Sequence, residues 1–220
     1  MIYRVLVLST VFLAGMGIFR YQVSLGQDYN PTPTQTPNHH VRAGVQALAC
    51  EYPDQKPGCE MYIAGFTDTV NTVMVGGEST KMLCGSTDSS DLVAEFEQEA
   101  RKSPEADTDA ALFQLLKTKH MCEGNKAPIY NPRSAGGLID MCHTGDIGFN
   151  LCSQYQWGFL DSLFFMSAQT KIPILCGNMS IVDSSITMLN DELQADSGLR
   201  QKPAVWLMLG ALQKKMPCPK

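Results

Sequence analysis

The chain has 220 residues, a formal charge of −5, eight cysteines and 44% hydrophobic residues. A net acidic chain whose Lys and Arg residues are scattered rather than striped is a poor phosphate binder, so nucleic acid is excluded as a partner. Eight cysteines in so short a chain point to an oxidising compartment, because cytosolic thiols are kept reduced.

Residues 1–26 contain no acidic side chain, carry Arg4, and run apolar from Val5 to Phe19. That is the pattern of a secretory signal peptide, with Ser24-Leu25-Gly26 offering the small residues before a cut after Gly26. Removing it leaves 15 basic against 22 acidic residues, a formal charge of −7. The expected location is periplasmic or secreted. Residues 27–40, with Asn30-Pro-Thr-Pro-Thr-Gln-Thr-Pro-Asn38, form a Pro/Thr-rich linker that cannot bury an apolar face.

From residue 41 onward the chain repeats itself. Cys50, Cys59, Cys84 and Cys122 return at offsets of 92, 93, 92 and 96 as Cys142, Cys152, Cys176 and Cys218. A C-x-x-Y-x-x-G-F-x-D pattern occurs twice, as Cys59, Tyr62, Gly65, Phe66, Asp68 and as Cys152, Tyr155, Gly158, Phe159, Asp161. Leu83-Cys84-Gly85 likewise returns as Leu175-Cys176-Gly177. The expected organisation is a domain over 41–123, a linker over 124–134 whose prolines and glycine break the chain, and a second domain over 135–220.

Each copy reads as four helices. The first covers Val41 to Ala49, or Ala135 to Met141. The second starts at the second cysteine and puts Tyr62, Phe66, Val70 and Val73, or Tyr155, Phe159, Leu163 and Met166, on one face. Gly76-Gly77 and Pro173 mark its end in the two copies. The third opens with Ser86-Thr87-Asp88 or Asn178-Met179-Ser180 and carries Leu92, Phe96 and Ala100, or Val182, Ile186, Leu189 and Leu193. The fourth carries Leu112, Phe113, Leu115 and Leu116, or Met208, Leu209, Ala211 and Leu212, and ends at the last cysteine. With no alternating run to suggest a strand, the fold class is all-α: two tandem disulfide-stapled four-helix domains.

Four cysteines allow three pairings per copy. In an up-down bundle the first and second cysteines are separated only by a loop, and the third and fourth lie at the same far end. This favours Cys50–Cys59, Cys84–Cys122, Cys142–Cys152 and Cys176–Cys218. Units of about 85 residues are near the limit for a single unaided core, which is why bridges are needed. Zinc is not expected, since no C-x₂-C pair exists and the closest cysteines are nine residues apart. No cofactor is expected either.

Tyr62 and Tyr155 read as core residues with the hydroxyl at the rim, and Gly65 and Gly158 as places where another helix crosses closely. Asp68 and Asp161 lie off the Cys-Tyr-Phe face and read as hydrogen-bond acceptors for a neighbouring helix terminus. An enzyme is not expected: no thiol is left over as a nucleophile, His39 and His40 sit in the linker, and His120 and His143 occupy unmatched places.

The cysteine spacing, the C-x-x-Y-x-x-G-F-x-D helix and the closing Met216-Pro217-Cys218-Pro219 resemble the Rap/Tai immunity proteins, periplasmic helical proteins that protect bacteria against peptidoglycan amidases delivered by type VI secretion. The resemblance runs twice along residues 41–220. It departs from the family at Met61 and Gln154, where a glycine is usual, and in its tandem arrangement. It implies a protein partner, a secreted peptidoglycan amidase, bound by a monomer acting as a pseudo-dimer. The turns between the third and fourth helices are the expected contacts: Ser103, Pro104, Glu105 and Ala106 in the first copy, and Ser197, Gly198 and Leu199 in the second, polar segments expected to project from the bundle. The alternative is a periplasmic structural or acid-stress chaperone module without a toxin partner.

Overall fold

The computed structural model describes residues 41–73, 83–84, 89–122, 132–171, 174–176 and 184–218. The signal and linker over 1–40, Gly76-Gly77, Pro173, Val182 and both expected cap segments of the third helices lie outside the described residues. Among the described residues there are eight α-helices and no strand. Four belong to the first copy: α1 (Ala43–Glu51), α2 (Lys56–Val73), α3 (Ser89–Lys102) and α4 (Thr108–Leu115), the last continued by a π-helical turn over Leu116–His120. The second copy supplies α5 (Ala135–Cys142), α6 (Gly145–Thr170), α7 (Ser185–Ala195) and α8 (Ala204–Lys215), with a 3₁₀ turn over Ser197–Gln201 before α8. No helix among them is long and apolar enough to cross a membrane.

Proline placement explains why the two long helices start at different points. Pro57 sits in the first turn of α2, where its missing N–H breaks no helical bond, and so marks a start just before Cys59. The second copy has no proline between Cys142 and Cys152, and α6 reaches back to Gly145, seven residues before the expected start. Gly145 takes φ +77°, and Gly148 lies so close to α5 that an added Cβ would meet the Met141 carbonyl oxygen. That contact folds α5 and α6 into a tight hairpin.

Each copy keeps its own core. Phe66, Val70, Leu83, Leu92, Phe96, Leu112 and Leu115 are fully buried in the first, and Leu138, Phe159, Leu163, Leu189, Val205, Met208 and Leu212 in the second. The disulfides are Cys50–Cys59, Cys84–Cys122, Cys142–Cys152 and Cys176–Cys218, the arrangement bundle geometry favours. Short backbone contacts flank the long-loop bridges: the Cys84 amide donates to the His120 carbonyl, and the Cys176 amide to the Met216 carbonyl.

The two copies are not separate bodies. The described residues of both copies fall in one compact unit, with α2 and α6 packed against each other more extensively than any other pair of helices. Every residue of α2 from Met61 to Asn71 is buried, so this helix has no solvent face along that stretch. Ile63, Phe66 and Val70 face the first core, whereas Met61 and Ala64 belong to the second. The exchange is mutual. Met166 of α6, expected in its own copy, packs in the first core, and the Phe165 ring lies 5.2 Å from that of Phe113.

Candidate functional site

The repeated motif builds the crossing of α2 and α6. An added Cβ on Gly65 would overlap the Tyr155 carbonyl oxygen, and one on Gly158 would overlap that of Tyr62. Both glycines are therefore needed for the two backbones to meet. The contact is isologous: each glycine covers the motif tyrosine of the other copy. A helix pays about 1 kcal/mol for an interior glycine, and this close approach is the compensation.

The polar residues of the motif cross over in the same way. Tyr155 Oη donates to Asp68 Oδ2 at 2.6 Å, and Tyr62 Oη lies 2.9 Å from Asp161 Oδ2. The tyrosine hydroxyls thus point into the junction between copies, not to the rim of each copy. Spacing within one copy does not reveal this, because the partners lie 99 and 87 positions away, in the other copy. Asp68 also accepts from the Arg133 amide at 3.2 Å, just ahead of α5, in keeping with its reading as an acceptor near a helix terminus. Its other oxygen, Oδ1, is buried with no hydrogen-bond partner among the described residues, as is the Thr67 hydroxyl.

The two halves of the junction differ at the tyrosine hydroxyl. Tyr62 Oη also lies 3.0 Å from Asp109 Oδ1 at the start of α4. At the 96-residue offset of the closing segments, the second copy has Val205 there, fully buried. Asp109 is a site residue that sequence reading missed; the signal was a charged residue in one copy where the other has an apolar one.

Burial dominates the electrostatics. It pushes the Asp68 carboxyl up to about 7, against the lowering effect of the Tyr155 hydroxyl, the Arg133 amide and the Arg133 charge. It pushes Asp161 up to about 6, opposed by the Tyr62 hydroxyl and assisted by the Asp107 charge. Both tyrosines are raised well above the ordinary phenol value, first by burial and then by the facing carboxylates.

The turns expected to project instead lie against the first helix of their own copy. The carbonyls of Pro104 and Ala106 accept from the Gly44 and Ala43 amides, and the Glu105 carboxylate meets Arg42 at 2.6 Å. Ser103, Pro104 and Glu105 remain exposed, but the backbone of their turn caps α1. In the second copy, Ser197, Gly198 and Leu199 form a 3₁₀ turn capped by Asp196, whose carboxylate accepts from the Gly198 amide at 2.8 Å. The Lys202 carbonyl then accepts from Ala135 at the head of α5, and Arg200 pairs with Asp140. The physical reason is the same in both: a helix N-terminus leaves its first amides without intrahelical partners, and these turns supply carbonyls to them.

Of the histidines, His120 is buried, with Nε2 3.0 Å from the Glu95 carboxylate, and His143 is an exposed cap of α5. Among the described residues no group of three or more His, Cys, Asp or Glu side chains is placed to hold a metal. No protein-family model, no curated protein and no solved structure matches this chain.

Proposed function

We propose that the chain is an exported, disulfide-bonded binding protein of the immunity type, which neutralises a peptidoglycan amidase as a single-chain pseudo-dimer. The reading rests on the motif resemblance, and one observation supports a binding role. The tyrosines, glycines and aspartates of the repeated motif are used in the junction, which leaves the outward surfaces free to differ. On α1, Val45 and Leu48 are 57% and 53% exposed, followed by Tyr52 at 50% just past the helix end. At the matching 92-residue offset the second copy has Gly137, Asp140 and Thr144, all exposed. The first copy therefore offers an apolar stripe at a position where the second is polar, while the second exposes Ile147, Phe149 and Trp206 instead, so the two halves present different apolar surfaces to a partner.

The test is titration of purified type VI peptidoglycan amidases with the mature protein while peptide release from peptidoglycan is followed. Stoichiometric inhibition of one amidase is expected, weakened at least tenfold by the double variant V45S/L48S. Full activity of every amidase at saturating protein overturns the reading.

A further inference from the structure

The junction raises a counting problem. Tyr62 Oη has a single hydrogen, yet carboxylate oxygens of Asp161 and Asp109 stand 2.9 and 3.0 Å from it on different helices. One phenol can donate to only one of them. The second contact is attractive only if its carboxyl carries a proton and donates it to the phenol oxygen. Across the pseudo-twofold, Asp68 is 1% exposed and keeps one oxygen without a partner among the described residues, an arrangement that suits a neutral acid better than a carboxylate.

We propose that the contact between the two copies is a proton-operated lock: acid places an extra proton at each Tyr–Asp pair and tightens the α2–α6 crossing, and loss of those protons toward alkaline pH loosens it. The groups that face the two pairs are Asp109 and Asp107 at the head of α4 and Arg133 ahead of α5. Asp107 adds negative charge beside Asp161 and so favours the proton there; Arg133 opposes it at Asp68. Of the charged groups on α3, α7 and α8, Glu95 is engaged with Lys119 and His120 of the π-helical turn, and Glu192 with Lys214. Loosening the crossing would uncover Met61 and Ala64, which otherwise sit in the second core.

The direction follows from linkage. Both carboxyls hold their protons more tightly in the folded protein than in the unfolded chain, Asp68 up to about 7 and Asp161 up to about 6. Their contribution is complete below the unfolded aspartate range, near pH 4, and disappears as the pH rises through 6 and 7. Urea unfolding of the full mature chain, with disulfides intact, is measured from pH 8 to pH 5. The folding equilibrium constant should rise on the order of a hundredfold from Asp68 alone over that interval. The double variant D68N/D161N, whose amides keep the shape without the titration, should lose most of that rise. Infrared spectra of the wild type provide a second readout that needs no variant: the carbonyl stretch of a buried, protonated carboxylic acid should be present at pH 5 and vanish by pH 8. A flat profile, an equal rise in the double variant, or weakening in acid overturns the lock; should the variant fail to fold, absence of the infrared band at pH 5 overturns it.

Discussion

Gly158 shows how a single residue can decide the architecture. A methyl group there would overlap the Tyr62 carbonyl, and backbone cannot step aside as a side chain can. Gly158→Ala should therefore destabilise by more than the 3 kcal/mol of a severe overpacking substitution, with the loss appearing as faster hydrogen exchange in both α2 and α6. Gly145→Ala is a useful contrast, since space is open around it and only its positive φ objects. It should cost about 1 kcal/mol by thermal unfolding, without effect on exchange at the junction. Tyr155→Phe removes the shortest hydrogen bond of the pair and leaves Asp68 more nearly alone. A loss of about 1–3 kcal/mol is expected at pH 8, shrinking as the pH falls, because a protonated Asp68 tolerates burial better. A loss independent of pH would mean that packing, not charge, sets the role of the hydroxyl.

At the scale of elements, the turns before α4 and α8 behave as parts of the bundle. Replacing Ser103–Ala106 with a Gly-Ser sequence keeps the carbonyls but loosens the turn that positions them on α1, and removes the Glu105–Arg42 pair. Destabilisation of about 1 kcal/mol is expected by urea titration, in the range of a lost helix cap. The disulfides differ in the loops they close, 38 residues for Cys84–Cys122 against 9 for Cys50–Cys59. Chain entropy alone makes Cys84→Ser more damaging than Cys50→Ser by about 1 kcal/mol, as each doubling of loop length adds about 0.6 kcal/mol. Equal losses in paired denaturation curves would place the effect in the native state.

For the whole molecule, the shared α2–α6 crossing couples the two cores. Heating should give one calorimetric transition for both copies, whose calorimetric and van't Hoff enthalpies agree, rather than two steps. Because the crossing is isologous, either copy produced alone carries both sides of the contact: a tyrosine that seeks an aspartate, and a glycine that seeks a tyrosine carbonyl. An isolated copy should form homodimers, visible by sedimentation, and Gly→Ala at the crossing should return it to monomer or unfold it.

The division between what sequence and structure each decided follows the range of the interactions. The cysteine framework and most helix and core positions were legible because 3.6-residue periodicity and the repeat of cysteine spacing are local or self-referential signals, the exceptions being the early start of α6 and the exchange of Met166 into the first core. The close approach at Gly65 and Gly158 was legible too, since an interior glycine demands a reason. Its partner was not. Tyr62 meets Asp161 across 99 positions and Tyr155 meets Asp68 across 87, and a pattern repeated twice looks the same whether each copy satisfies itself or the other. Only the packing of α2 on α6 settles that choice, because burying α2 on all sides leaves its aspartate and tyrosine no water and no acceptor within their own helix.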